Sequence, residues 1–219
     1  MSSLEEERAR LVERLESMGI IRSEKAKRAA LSVKRELFVP PKLKRYAYRD
    51  TPLPIGHGQT ISAPHMVFMM NELLDLREGM LVFEVGTGSG YHAATVAEMV
   101  SPGGRVITTE ILEPLAKFAW ENLRRAGYHD RVAVVACDGS RGLKLKEKPE
   151  RILVTAAAPR VPRPLVEMLE DGGKMVIPVG DSLFFAQKLV LIEKIGSRVV
   201  ERVITDVAFV PLRGEWGFR

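Results

Sequence analysis

The segment Val82-Phe83-Glu84-Val85-Gly86-Thr87-Gly88-Ser89-Gly90-Tyr91 limits what this 219-residue chain can become more than any other stretch. The apolar run Leu81–Val85 has the length and composition of a buried strand, and the residues after Gly90 support a helix to about Val100. Glycines at 86, 88 and 90 let the backbone turn between the two and keep Cβ atoms out of the turn. Past Ser101-Pro102-Gly103-Gly104 a second strand, Val106–Glu110, completes a βαβ unit.

The same alternation continues on both sides. A helix is predicted from about Pro114 to Ala126, ended by Gly127, then strands at Val132–Cys137 and Ile152–Thr155. A short helix near Pro164–Glu170 leads to Met175–Val179, and Lys188–Glu193 and Arg198–Ile204 are also rich in β-formers. Upstream of the glycines, Pro64 opens a helix with Met66, Val67, Met69, Met70, Leu73 and Leu74 on its apolar face. This order of elements predicts an α/β fold, a doubly wound and mainly parallel sheet with an N-terminal helical extension. The extension comprises a helix that stops at Gly19 and a basic one from Ser23 to about Glu36. Prolines and glycines crowd residues 38–58, so an extended, wrapping segment is expected there. The length suits one domain, with helices and wrapping segment in 1–63, the binding core in 64–180 and substrate-side strands in 181–219.

Apolar residues make up 46% of the chain, yet no apolar run approaches the roughly 18–20 residues that span a bilayer, so no membrane partner is expected. The opening residues lack the basic start and apolar stretch of an export signal, which predicts a cytoplasmic protein. Cys137 is the single cysteine, so it forms no internal disulfide, and it reads as a small buried hydrophobe at a strand end. No Cys/His spacing suggests a metal. The formal charge of +5 suits nucleic acid or any other anionic substrate, and the cations are spread rather than clustered. Asn and Gln are scarce beside Lys, Arg and Glu, a balance associated with hyperthermophile proteins.

The glycine register narrows the ligand. A dinucleotide fingerprint wants its third glycine at 91, where Tyr91 stands, whereas Gly86, Gly88 and Gly90 give the G-x-G-x-G pattern that resembles class I S-adenosylmethionine-dependent methyltransferases. Thr87 lies within that loop and Glu84, just before it, is expected to point at the same crevice. Glu110, 20 residues past Gly90 at the end of the next strand, can accept hydrogen bonds from both ribose hydroxyls. The resemblance implies that Asp138 and Gly139 hold the adenine; without a ligand they would form an ordinary Asp-Gly turn.

The acceptor must be read separately, because one cofactor fold serves many acceptors. Thr155-Ala156-Ala157-Ala158-Pro159 offers no aromatic platform to stack a flipped base, which weakens a nucleic-acid substrate. The acceptor-facing loops show no carboxylate cluster for the magnesium of a catechol-type enzyme. A carboxylate acceptor needs neither base nor metal, since an α-carboxyl has a pKa of about 3.3–3.7. Alternatives that remain are a small-molecule O-methyltransferase and a nucleic-acid-binding relative of the fold.

Gly58-Gln59-Thr60-Ile61-Ser62-Ala63-Pro64-His65-Met66 resembles the signature of the protein-L-isoaspartate O-methyltransferases. The similarity extends to Phe38-Val39-Pro40, to Tyr48 with Asp50, to Val154–Pro159, and to Gly172-Gly173 followed by Ile177-Pro178-Val179-Gly180. It implies that S-adenosylmethionine is the cofactor, without metal, and that Ser62 is the active-site residue orienting an isoaspartyl carboxylate. It further implies that Thr60, Ile61 and His65 lie at the cofactor, and that isoaspartyl-containing peptides and damaged proteins are the partners rather than nucleic acid. A monomer is expected, although no sequence feature sets the oligomeric state. The plain local alternative makes Ser62 the N-cap of the helix that begins at Pro64, and His65 a first-turn residue bonded locally. His57, His92 and His129 are scattered and form no triad with Ser62. Glu150-Arg151 departs from the family's Asp-containing pair, and the C-terminal Gly214–Phe218 is only loosely similar.

Overall fold

The computed structural model describes residues 3–181 and 187–218. The first helix, α1 (Leu4–Ser17), starts where Ser3 and Glu6 bond to each other's backbone N–H in a reciprocal cap. Helix α2 (Glu24–Ser32) is capped by Ser23 but ends four residues before the expected Glu36, because Val33 turns extended. That break swings Arg35 fully inside, where its Nε donates to Ala47 O at 2.8 Å and its guanidinium lies 5.0 Å from the centre of the Tyr91 ring. This cation, which makes no ion pair among the described residues, thereby pins the wrapping segment to the core. The segment itself is less extended than expected: a 3-10 turn over Pro41–Tyr46 precedes a hairpin of β1 (Leu53–Gly56) and β2 (Gln59–Ile61).

After α3 (Pro64–Leu73) the strands and helices alternate as the pattern requires. They are β3 (Leu81–Val85), α4 (Tyr91–Met99), β4 (Arg105–Glu110), α5 (Glu113–Ala126), β5 (Val132–Ala136), β6 (Arg151–Val154), α6 (Arg163–Met168) and β7 (Lys174–Gly180). The two late β-rich stretches form β8 (Gln187–Ile195) and β9 (Arg198–Val207). The sheet order is β5-β4-β3-β6-β7-β8-β9, parallel from β5 to β7 and antiparallel across β7, β8 and β9.

Both faces of the sheet are covered. Val82, Leu153 and Val176 share one buried cluster with α1, α2, α3 and α4, while Phe83, Val85, Ile152, Val154, Met175 and Ile177 pack with Leu165 of α6 in a second. Alternate residues of one strand thus enter different cores, which is why these strands read as continuous apolar runs. From β3 the chain winds outward to β4 and β5, then returns to lay β6 on the other side of β3, so the switch point lies beside β3. Ligand crevices of open α/β sheets form there, at the carboxyl ends of the strands. Among the described residues no helix is long and apolar enough to cross a membrane.

Candidate active site

A cleft enclosing about 80 Å³ opens at those carboxyl ends. Its floor is the glycine loop after β3, with Gly86, Thr87, Gly88 and Ser89 lining it. The loop is held by the ends of both neighbouring strands. Gly86 N and Thr87 N both donate to Thr109 O, at 2.9 and 3.1 Å, and Thr155 Oγ1 donates to Gly86 O at 2.6 Å. Gly86 has φ +96°, and a Cβ there would collide with Thr155 Oγ1, so the position demands glycine twice over. Gly90 does not line the cleft; it begins α4 at φ +86°, and a Cβ on it would press on Leu123 of α5 at 3.0 Å.

Glu110, at the end of β4, lies in the cleft with 7% of its surface exposed. Its Oε2 accepts from Gly88 N at 2.9 Å and its Oε1 from Leu112 N at 3.0 Å, which fixes the carboxylate and leaves each oxygen a further lone pair. Gly139, after β5, lines the cleft where a Cβ would strike Thr109 Oγ1.

Two other acids do not stand where the sequence suggested. Glu84 is fully buried and lies outside the lining: alternation along β3 turns it away from Phe83 and Val85, and it sits beneath the loop. Thr108 Oγ1 donates to Glu84 Oε2 at 2.5 Å and in turn lies 2.7 Å from Thr87 Oγ1, so two hydroxyls link Glu84 to the loop. Burial pushes its carboxyl up to about 8; the Thr108 hydrogen bond opposes this and the like charge of Glu110 adds to it. Its Oε1 has no hydrogen-bond partner among the described residues. Asp138 caps a 3-10 turn, with Oδ1 accepting from Ser140 N at 3.0 Å and Ser140 Oγ at 2.6 Å, and Oδ2 accepts from Glu215 N at 2.8 Å. It holds the C-terminal segment and is not among the lining residues.

The β1–β2 hairpin delivers the opposite wall, Gln59, Thr60, Ile61 and Ser62. Ser62 does not cap α3; Ala63 is the cap, and it makes no side-chain bond. The Ser62 hydroxyl is half-buried, faces the cleft and makes no hydrogen bond with any described residue. His65 lies outside the lining, its backbone N and Nδ1 both 2.9 Å from Asp50 Oδ1. His92 does line the cleft, with Nε2 2.9 Å from Asn71 Oδ1, and burial pulls its imidazole down to about 3. It is therefore neutral near pH 7.

The sequence reading gave no individual role to Thr155 or His92, and it placed residues 181–219 on the substrate side without singling out Val210, Pro211, Leu212 and Arg213, all of which line the cleft. Thr155 could have been found from its place at a strand end; the last four carry no local signal, because Ala157 N donates to Val210 O and brings them in from far along the chain. The wrapping segment 38–58 contributes no residue to the lining, which starts at Gln59, whereas the C-terminal substrate-side stretch contributes Val210, Pro211, Leu212 and Arg213. Glu150 and Arg151 sit at the amino end of β6, remote from the cleft, where Glu150 Oε2 accepts from Leu81 N and Arg151 Nε donates to Leu74 O. Cys137 is half-buried rather than buried, and burial pushes its thiol up. Among the described residues no group of three or more His, Cys, Asp or Glu is gathered that could hold a metal.

A crevice at the switch point, floored by a G-x-G-x-G loop and walled by a carboxylate on the adjacent strand, defines a class I methyltransferase that uses S-adenosylmethionine. Comparison with known proteins narrows the class. The family model for protein-L-isoaspartate(D-aspartate) O-methyltransferase matches residues 6–216, and the chain belongs to this family. It is 61% identical over 217 residues to the protein-L-isoaspartate O-methyltransferase of Korarchaeum cryptofilum, covering 96% of this chain and 98% of that one. It is 56% identical to that of Hyperthermus butylicus, covering 98% and 91%. A crystal structure of a Plasmodium falciparum protein assigned to the same enzyme, in complex with S-adenosyl-L-homocysteine, superposes with a TM-score of 0.81 at 29% identity, covering 93% of this chain and 96% of that one.

Proposed function

We propose that the chain transfers the methyl group of S-adenosylmethionine to the free α-carboxylate of L-isoaspartyl residues in damaged proteins, giving the methyl ester that leads to succinimide and repair. The observation that carries this reading is the Ser62 hydroxyl, unpaired among the described residues and facing the same cleft as the glycine loop and Glu110. When bound, S-adenosylmethionine supplies a methyl group on a sulfonium, an electrophile that an already ionised carboxylate can take without a general base.

On this reading Glu110 accepts from the ribose hydroxyls, while Gly139 lets the adenine approach and Asp138 anchors the wall beside it. Gly86, Thr87 and Gly88 bring backbone close to the cofactor, Gly90 sets the start of α4, and Thr60 and Ile61 form the facing wall. Glu84 supports the loop through Thr108 and Thr87, and His65 holds the end of the hairpin through Asp50. Ser62 donates to one oxygen of the acceptor carboxylate and leaves the other free to attack; a neutral donor orients without quenching as a cation would. The partner is a peptide segment rather than nucleic acid or a membrane, and the enzyme acts as a monomer in the cytoplasm, where a lone free cysteine is at home.

Ser62→Ala tests the assignment. It should lower kcat on an isoaspartyl peptide by about tenfold or more while the cofactor Kd stays within about twofold. An unchanged kcat, or a loss of cofactor affinity that matches the loss of rate, would contradict it.

A further inference from the structure

The last described stretch of the chain is tied down by a series of backbone hydrogen bonds and an ion pair. Leu212 N donates to Ala157 O at 2.7 Å, Phe218 N to Leu212 O at 2.9 Å and Gly217 N to Gly214 O at 3.1 Å. Glu215 N donates to Asp138 Oδ2, Trp216 N to Ser140 Oγ at 3.2 Å, and the Glu215 carboxylate pairs with Arg141 at 3.3 Å. Gly214 lies so close to Asp138 that no Cβ fits there. The segment therefore runs from the end of β6, beside Ala157, to the end of β5, beside Asp138, on an anchored backbone.

Arg213 is the charged side chain that this segment presents to the cleft. It is exposed, and its guanidinium makes no hydrogen bond or ion pair with any described residue. A guanidinium keeps its charge at any working pH and suits carboxylates by its forked donors. Placed on a rigid backing without an internal partner, it is prepared for an anion that arrives with a ligand.

We propose that Arg213 is a specificity-determining residue that selects isoaspartyl peptides carrying a second carboxylate next to the isoaspartyl residue. The inference rests on the reading of the cleft as an isoaspartyl methylation site. The acceptor carboxylate itself is not its partner, since pairing with a guanidinium would draw off the electron density needed for attack, and Ser62 is the group that orients it. The second carboxylate comes from a flanking Asp or Glu side chain or from a nearby chain terminus.

The test is a set of isoaspartyl hexapeptides with neutral flanks, with Glu or with Lys at each position within two residues of the isoaspartate, each with a free or an amidated C-terminus. With the unaltered enzyme at low salt, at least one Glu position, or the free terminus when near, should lower KM by about two- to fivefold, as an exposed ion pair does. The gain should fade as salt rises. Arg213→Ala should bring the ratio of acidic to neutral kcat/KM to about one, Arg213→Glu should invert it in favour of Lys peptides, and Arg213→Lys should keep part of it. Cofactor Kd, measured by calorimetry on the same variants, should stay within about twofold. An acid preference that survives in Arg213→Ala, or its absence from the unaltered enzyme, overturns the inference and leaves the methylation reading intact. A rise in cofactor Kd that parallels the change in peptide KM overturns it by making Arg213 a cofactor contact. Failure to methylate even the neutral-flank peptide sinks both.

Discussion

At the scale of single residues, the glycine spacing and Glu110 were legible because their chemistry is local: a loop that must be bare, and an acid at a strand end. Glu84 and Asp138 were legible as acids near the crevice, but not in what they touch. Strand alternation sends Glu84 under the loop, and a distant backbone N–H, that of Glu215, claims Asp138. Arg213 was legible only as part of a substrate-side stretch, since nothing in its immediate neighbourhood singles it out.

Burying Glu84 has a consequence for stability. Its folded pKa, pushed up to about 8, lies above the ordinary 4.5, so between these values the folded state holds a proton that the unfolded state has released. Stability therefore falls as pH rises through this window. Glu84→Gln, which mimics the protonated form, should remove that contribution: its midpoint of urea unfolding should fall less than that of the unaltered protein between pH 5 and pH 8.5. Parallel pH profiles would show that Glu84 is ionised without strain. His92 works the other way. Held down to about 3, it stays neutral when folded while the unfolded chain takes up a proton below about 6.5, so acid weakens the fold through this residue.

At the scale of elements, the alternation of strand and helix from Pro64 to Gly180 could be followed with boundaries within a residue or two, because caps and turn residues mark them: Pro at the first turns of α3, α5 and α6, and Gly127 after α5. Where the reading erred, a tertiary contact was the cause. Helix α2 stops early so that Arg35 can reach Ala47 O. The hairpin before Ser62 forms from residues whose prolines argued only against helix. The glycine loop gives a quantitative check. Gly86 and Gly172 both have positive φ, but only at Gly86 would a Cβ meet another group, Thr155. Gly172→Ala should cost about 1–2 kcal/mol from backbone strain alone. Gly86→Ala should cost about 1–3 kcal/mol more from the clash, read from urea midpoints, and should weaken the cofactor as well. Equal costs would mean that the loop is not braced by Thr155.

For the whole molecule, a winding order was predictable and its far edge was not. Parallel strands joined by helices must wind outward from a switch point, whereas the connections from β7 to β8 and from β8 to β9 are too short for a crossover of a dozen residues, and both pairs are antiparallel. The two cores on either side of the sheet account for the apolar runs, and the scarcity of Asn and Gln beside abundant Lys, Arg and Glu predicts a melting midpoint above the mesophile range of about 45–65 °C. Scanning calorimetry would check this, and a midpoint within that range would contradict it. The acceptor is where local chemistry and family membership have to agree. Its direct measurement is incubation with labelled S-adenosylmethionine and a pair of peptides identical except for an isoaspartyl or an ordinary aspartyl linkage. The account predicts a base-labile methyl ester on the isoaspartyl peptide alone; equal labelling of both, or of neither, would contradict it.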